Sequence, residues 1–119
     1  GIGMAYSYAD ALTRYRALMS RLDGIEVKGK ANPYTSMNGN MFSFLDKAGV
    51  LCLRLSAKDR DGFVRAYGTD PVEQYGAVMK EYVAVPADLF ADDAALMPHL
   101  MACLGYARTL PAKPTKKTS

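Results

Sequence analysis

The stretch YTSMNGNMFSFL, residues 34–45, decides the fold of this chain. The Asn38-Gly39 pair at its centre accepts positive φ at both central positions of a type I′ turn, and strand-forming residues flank it on both sides. It therefore predicts a β-hairpin with a defined register. In that register Ser36 faces Met41, Thr35 faces Phe42 and Tyr34 faces Ser43.

The segment after the hairpin extends the sheet. Residues 46–49, DKAG, predict a four-residue turn into the apolar strand at residues 50–55. This turn places Phe44 opposite Leu51, Phe42 opposite Leu53, Ser43 opposite Cys52 and Met41 opposite Arg54. Alternation then predicts one face covered by helices, made of Thr35, Phe42, Phe44, Leu51, Leu53 and Leu55. The other face collects Tyr34, Ser36, Met41, Ser43, Cys52 and Arg54, a mixed set that suits an interface or a shallow groove.

Helical signals alternate with these strands. Ser7 is a good N-cap for an amphipathic helix over residues 7–23, which should bury Leu12 and Tyr15. Ser56 and Gly68 bound a second helix. A second hairpin is predicted around Gly76-Ala77, between strands at residues 73–75 and 79–85. Pro98 should interrupt the last helical region, so we expect short turns at residues 86–90 and 92–96 and the main helix from Met97.

The order of elements predicts an α+β fold. One helix, three strands, a second helix, two strands and a last helix, with connections too short for parallel crossovers, favour a two-layer sandwich with a mostly antiparallel five-stranded sheet. We assign residues 4–110 to one domain and residues 111–119 to a flexible Pro/Lys-rich tail. Residues 1–3 are interpreted as an expression remnant before a natural start at Met4.

Charge argues against strong binding to nucleic acid. The formal net charge of the 119 residues is +3, from 15 basic and 12 acidic side chains. Setting aside Lys113, Lys116 and Lys117 in the tail leaves 12 basic against 12 acidic residues, so the folded part is neutral. We therefore expect at most weak, non-specific polyanion contact through those three lysines. No apolar run is long enough for a membrane span, and a cytoplasmic protein is expected.

The sequence offers few candidates for catalysis or metal binding. His99 and Cys103 are four residues apart, a spacing that allows a nucleophile and its base, but no third orienting group is identifiable. One histidine with the distant Cys52 and Cys103 does not make a zinc site, and both thiols are predicted to be free and buried. Met97 and Met101 suit either soft-metal binding or core packing, and packing is the interpretation we prefer. We expect no catalytic residue, metal or cofactor.

Arg54 is the best candidate for binding. It is a charge inside an apolar strand, able to hold a carboxylate or phosphate, or to pair with Glu81 for structural reasons. Lys80 and Tyr82 are predicted on one face of a neighbouring strand, with Glu81 on the other. Together with Tyr34, the residues Arg54, Lys80 and Tyr82 form the predicted ligand or interface patch.

Several short motifs resemble the N-terminal domain of the TfoX/Sxy family, which is related in fold to the YjbR-like proteins. They are Met41-Phe42; Gly49, Leu51, Leu53, Arg54 and Leu55; Met79-Lys80, Tyr82, Val85 and Pro86; and Tyr106, Leu110-Pro111 and Lys113. Residues 33–36, 41–45 and 73–76 look like a single-domain subgroup of that family. The resemblance implies the α-β-β-β-α-β-β-α order, and its better-known members regulate competence for DNA uptake in bacteria. It implies no catalytic residues.

Three functions remain open on the sequence alone. The leading hypothesis is a non-catalytic interaction or regulatory module that acts through protein contacts, as a homodimer and with an unidentified protein partner. The alternative is a small-molecule or anion-binding protein, with or without enzyme activity, that uses the Arg54, Lys80 and Tyr82 patch. The third is weak nucleic-acid contact through the tail.

Overall fold

The structure, a computed structural model, describes residues 6–114. The interpretation of residues 1–3 and Met4, and the tail residues Lys116 and Lys117, lie outside the described residues. The helices and strands are α1 (Tyr8–Met19), β1 (Tyr34–Met37), β2 (Asn40–Leu45), β3 (Leu51–Arg54), α2 (Ala57–Tyr67), β4 (Pro71–Gln74), β5 (Ala77–Ala84), α3 (Ala87–Phe90) and α4 (Asp93–Thr109).

The sheet has five strands in the order β1-β2-β3-β5-β4, and every neighbouring pair is antiparallel. The helices supply the partners of one sheet face, where residues of α1, α2, α3 and α4 share a core cluster with β2, β3 and β5. On the other face, the described residues form a second buried cluster whose members all lie in strands. The predicted α+β fold with a five-stranded antiparallel sheet is therefore confirmed.

A β-bulge at Phe42 corrects the predicted register. Ser36 faces Met41 as predicted, but the next pair is Thr35 with Ser43, so Phe42 is an extra residue in β2. Phe42 and Ser43 both face the helices: Phe42 lies in the helix-side core, and the Ser43 hydroxyl is 2.7 Å from the Tyr15 hydroxyl of α1. Phe44 lies in the opposite cluster. The predicted positions of Phe44 under the helices and Ser43 on the other face were wrong.

The turn between β2 and β3 is one residue tighter than predicted. Asp46 N donates to Val50 O at 3.0 Å, which leaves three residues in the loop, and Gly49 has φ +82°. The Asp46 carboxylate accepts from the backbone N–H groups of Ala48 and Val50, both at 2.9 Å. Because of this turn, Ser43 faces Leu53, Phe44 faces Cys52 and Leu45 faces Leu51.

The second hairpin turns one residue earlier than predicted. Its central residues are Tyr75 and Gly76, with φ +52° and +78°, rather than Gly76-Ala77. These values match those at Asn38 and Gly39, +53° and +78°, so both hairpins have turns of type I′. The strands begin at Pro71 and Ala77, which lengthens both relative to the prediction.

The helix signals are only partly accurate. Ser7 and Ser56 cap α1 and α2, and Gly68 ends α2 in the left-handed conformation, as predicted. The first helix, however, ends at Met19 instead of residue 23. The last helix begins at Asp93 and continues through Pro98, so the prediction that Pro98 breaks it was wrong. One missing backbone hydrogen bond is tolerated because Leu96 and Leu100 on either side are fully buried.

The core lies between the helices and the sheet. Tyr15 is fully buried there, whereas Leu12 is only half-buried at the edge of the core. The two thiols, Cys52 and Cys103, are free and buried as predicted. The largest fully buried side chains are Tyr15, Phe42, Leu18, Met19, Leu51, Leu53, Leu55, Leu96, Leu100, Leu104 and Val83, with the hydroxyl-bearing Thr35 among them.

The helix-free face of the sheet is curled. Phe44 of β2 and Val72 of β4 belong to one cluster although two strands separate β2 from β4 in the sheet. At one end, Tyr34 of β1 lines the same groove as Gln74 and Tyr75 of the second hairpin. The second hairpin therefore bends over this face, and the candidate sites lie within the resulting concave surface.

Candidate functional site

Three of the four predicted site residues lie in one cleft. Arg54, Lys80 and Tyr82 line a cavity of about 570 Å³ at the end of the sheet near the first hairpin turn. We call it the Arg54 cleft; its remaining lining residues are Gly39, Met41, Met79, Glu81 and Lys113. Tyr34, the fourth predicted residue, does not line this cleft and belongs to a separate groove.

Arg54 forms the structural pair that the sequence had left open as an alternative. Its Nη2 and Nε donate to Glu81 Oε1 at 2.7 and 3.2 Å. The other Glu81 oxygen accepts from the Tyr106 hydroxyl of α4, and the guanidinium carbon is 5.9 Å from the centre of the Tyr106 ring. The hydrogen bonds from Tyr106 and Arg54 lower the pKa of the Glu81 carboxyl. The pair is therefore a fixed network that joins β3, β5 and α4.

The bulge in β2 provides a further acceptor for this network. Pairing of β2 with β3 begins only at Ser43, so the Met41 carbonyl is not used in that ladder. It accepts instead from Arg54 Nη1 at 3.2 Å and from the Tyr82 hydroxyl at 3.1 Å. The proton of Tyr82 is thus committed to the backbone, and burial raises the pKa of this phenol. Tyr82 shapes the cleft instead of donating into it.

The C-terminal segment completes the cleft. Lys113 N donates to Asn38 O at 2.8 Å, and Asn40 Nδ2 donates to Pro111 O at 2.9 Å. A Cβ atom on Gly39 would lie 2.0 Å from Lys113 O, so only glycine permits this approach. The first part of the predicted tail is therefore hydrogen-bonded to the first hairpin turn, and it brings Lys113 to the cleft.

An apolar groove continues from the Arg54 cleft along the concave face. It has a volume of about 340 Å³ and shares Met41 and Met79 with the cleft. We call it the Tyr34 groove; its other lining residues are Asn32, Tyr34, Phe44, Leu45, Gln74, Tyr75 and Ala77. Its lining is largely aromatic and aliphatic, as is usual where a protein takes up an apolar side chain or ligand.

Tyr75 stands at the rim of this groove with most of its side chain in solvent. It is 80% exposed. Tyr75 also has φ +52°, a conformation that Asn and Gly adopt easily and a bulky aromatic residue does not. Neither turn geometry nor packing explains an aromatic residue at this position.

A second polar cavity, of about 550 Å³, lies between α2 and the second hairpin. Arg60, Arg65 and Lys80 line it together with Asp61 and Asp70, so its charges are of both signs. The buried Thr69 hydroxyl at its edge has no hydrogen-bond partner in the described part of the chain. Arg60 Nη1 donates a hydrogen bond to Leu55 O at 3.0 Å.

His99 and Cys103 are not arranged as a catalytic dyad. The Cys103 thiol donates to Leu100 O within the core, and burial raises its pKa to about 12. His99 instead packs against the Phe63 ring, and its Nε2 lies 3.4 Å from the Tyr67 hydroxyl oxygen. Met97 packs at the edge of the core, while Met101 is half exposed. Among residues 6–114, no group of three acidic, histidine or cysteine side chains is placed to hold a metal ion.

Comparison with known proteins does not assign this chain to a family. No protein-family model and no curated protein matches this chain. Within the described part of the sequence, no helix is long and apolar enough to cross a membrane.

Sequence reasoning missed Tyr75 and Phe44 as parts of these sites, and it named Lys113 only as a tail contact for polyanions. Gly76 was a recognisable turn signal, but the sequence-based prediction paired this glycine with Ala77 instead of Tyr75. No signal in the sequence indicates the bulge that moves Phe44, because bulge and flanks contain neither Gly nor Pro. The position of Lys113 depends on the path of the last residues across the sheet, which local patterns do not predict.

Proposed function

We propose that this chain is a non-catalytic interaction module that binds through the helix-free face of its sheet, and that its partner is a second copy of the same chain. The observation that supports this most directly is the exposed Tyr75 beside the apolar Tyr34 groove. Helices cover the opposite face, which leaves the concave face as the available surface.

A two-fold arrangement uses both features at once. In a symmetric dimer each copy presents the same patch, so a projecting side chain and a groove beside it can exchange reciprocally. Tyr75 of one copy then enters the Tyr34 groove of the other. Tyrosines that become buried in pockets are among the side chains that contribute most to binding at interfaces.

The strained backbone at Tyr75 supports the same proposal. An aromatic residue at positive φ destabilises the free chain relative to Asn or Gly at that position. Such a residue is consistent with a role outside the folding of the monomer. Tyr75→Asn suits the turn better while it removes the ring, so a loss of dimer in this variant is separable from a loss of fold.

Sedimentation velocity tests this proposal. The wild-type chain is expected to reach a dimer in the micromolar range, and Tyr75→Asn is expected to sediment as a monomer with unchanged or raised thermal stability. Met101→Gln is the matched control, since it removes a side chain that is 50% exposed on the helix layer and should leave the dimer intact. A wild-type monomer at high concentration, or a dimer that Met101→Gln disrupts and Tyr75→Asn does not, would contradict the proposal.

Two further proposals concern context. The buried free thiols support a reducing compartment, and we place the chain in the cytoplasm. We also retain the proposed relation to the TfoX/Sxy N-terminal domain, which the α-β-β-β-α-β-β-α order supports. For this chain we propose two activities, the formation of a homodimer and contact with a further protein.

Nucleic-acid binding is proposed to be weak and independent of sequence. The three lysines Lys113, Lys116 and Lys117 can neutralise about three phosphates, which limits the log–log salt slope to roughly −3. A gel-shift titration of the triple alanine variant tests this better than truncation, because Pro111 and Lys113 hydrogen-bond to the first hairpin. Submicromolar, sequence-selective binding that survives the triple substitution would contradict the proposal.

A further inference from the structure

The Arg54 cleft carries an excess of positive charge. Three cationic side chains, Arg54, Lys80 and Lys113, line it with one carboxylate, Glu81. Arg54 already pairs with Glu81, and neither Lys80 nor Lys113 forms an ion pair with another residue between positions 6 and 114. The lining of the cleft therefore has two more cationic than acidic side chains, and Lys80 also lines the cavity beside α2.

The guanidinium of Arg54 keeps donors for a ligand. Of its five N–H groups, one on each of Nε, Nη2 and Nη1 is used by Glu81 or the Met41 carbonyl. One N–H on each terminal nitrogen has no acceptor in the described part of the chain. The side chain is 18% exposed and held by its other bonds, so these donors are fixed in direction before any ligand arrives.

Glu81 does not compete for the two lysines. Its Oε1 accepts from Arg54 and its Oε2 accepts from Tyr106, and it forms no ion pair with Lys80 or Lys113 among residues 6–114. The Tyr82 ring and Met79 supply an apolar wall beside the charges. A small group with oxygens that accept hydrogen bonds and a full negative charge fits this arrangement.

We propose that the Arg54 cleft binds a small oxyanion, a carboxylate or phosphate group, between the free N–H groups of Arg54 and the ammonium groups of Lys80 and Lys113. The C-terminal segment contributes directly, since the hydrogen bonds of Pro111 and Lys113 keep Lys113 at the cleft. This site is separate from the Tyr34 groove, although the two share Met41 and Met79 at their border.

A titration followed by ¹⁵N–¹H NMR at low ionic strength tests the proposal, with inorganic phosphate and malonate as the two probes. We expect saturable shifts at Arg54, Lys80 and Lys113, with a Kd of about 1 mM. Lys80→Ala and Lys113→Ala should each weaken binding by about two- to fivefold, as for a partly exposed charge pair. Saturation by phosphate alone would assign a phosphate group, and saturation by malonate alone a carboxylate.

Two control variants locate the site. Lys47→Ala removes an exposed charge from the β2–β3 turn, at the opposite end of β2, and should not change the affinity. Arg65→Ala removes a charge from the cavity beside α2 and should not change it either. The same titration in Tyr75→Asn separates anion binding from self-association. No saturable binding of either probe, or binding that Arg65→Ala abolishes and Lys113→Ala leaves intact, would overturn the proposal.

Discussion

The two faces of the sheet differ in what their side chains do. On the helix side, a continuous apolar core joins all four helices to β2, β3 and β5. On the concave side, the buried cluster within residues 6–114 consists of Phe44, Cys52, Val72 and Tyr82, and around it lie a groove, a charged cleft and the exposed Tyr75. The comparison teaches that stability is concentrated on the helix side, which leaves the other face free to carry polar groups and cavities at little cost to folding.

The largest expected effect separates two phenylalanines of one strand. Phe42→Ala on the helix side should destabilise the chain by about 3–5 kcal/mol, because it opens a cavity in a closed core. Phe44→Ala should cost less, because Phe44 borders the Tyr34 groove and its removal enlarges an existing opening. Urea unfolding of both variants measures the difference. An equal or larger loss for Phe44→Ala would show that the concave face contributes as much stability as the helix side.

The second prediction concerns the buried hydroxyl cluster of the helix side. Ser43 shares hydrogen bonds with both Tyr15 and Thr35, and all three residues are fully buried. Ser43→Ala should destabilise the chain by about 1–3 kcal/mol, since the Tyr15 and Thr35 hydroxyls each lose a hydrogen-bond partner away from water. Ser36→Ala, in a partly exposed position of the same hairpin, should change stability by less than about 0.5 kcal/mol.

These hydroxyls also show why part of the fold was predictable and part was not. Asn38-Gly39, Ser7, Ser56 and Gly68 act on their immediate neighbours, so the sequence predicted the turn and caps that they form. The bulge at Phe42 instead accommodates Ser43 against Tyr15, 28 residues earlier in the chain. A contact between distant segments leaves no local pattern, and one extra residue reverses the faces of Ser43 and Phe44.

The same distinction applies to the candidate site. Arg54 was recognisable as a charge in an apolar strand, and its pairing with Glu81 was one of two alternatives that the sequence allowed. The outcome depended on Tyr106 and the Met41 carbonyl, which come from another helix and from the bulged strand. Their arrangement follows from tertiary structure and was not accessible from residue spacing.

The third prediction uses the acid dependence of the Glu81 pair on the rim of the concave face. The pKa of Glu81 is lowered in the folded chain, so the pair stabilises it above about pH 5, near the unfolded value, and loses that contribution as pH falls through the folded value. Because the carboxylate is 37% exposed and screened by solvent, the effect at pH 7 should stay below about 1 kcal/mol.

Thermal unfolding between pH 7 and pH 3 measures this contribution. Glu81→Gln should be less stable than the wild type at pH 7, and the difference should shrink toward pH 3. Glu73→Gln, which removes a carboxylate from β4, is the control and should show no such convergence. A constant difference across this range would contradict the linkage that we assign to Glu81.

The smallest effect compares one thiol from each face. Burial raises the pKa of Cys52 and of Cys103 to about 12, so both should react with a disulfide reagent at pH 8 far more slowly than in the unfolded chain. Cys52 belongs to the smaller buried cluster of the concave face and should react faster than Cys103 in the larger helix-side core. Single-thiol variants, Cys52→Ser and Cys103→Ala, measure the two rates separately. Faster reaction of Cys103 would reverse the proposed order of local stability.

The central claim is that the concave face is the binding surface, and a concentration series of ¹⁵N–¹H NMR spectra tests it most directly. Between dilute and concentrated samples, we expect shifts or broadening at Tyr34, Phe44, Tyr75 and Ala77, with α1 and α4 unchanged, and no such changes in Tyr75→Asn. Spectra that do not depend on concentration, or changes confined to the helix layer, would contradict the account.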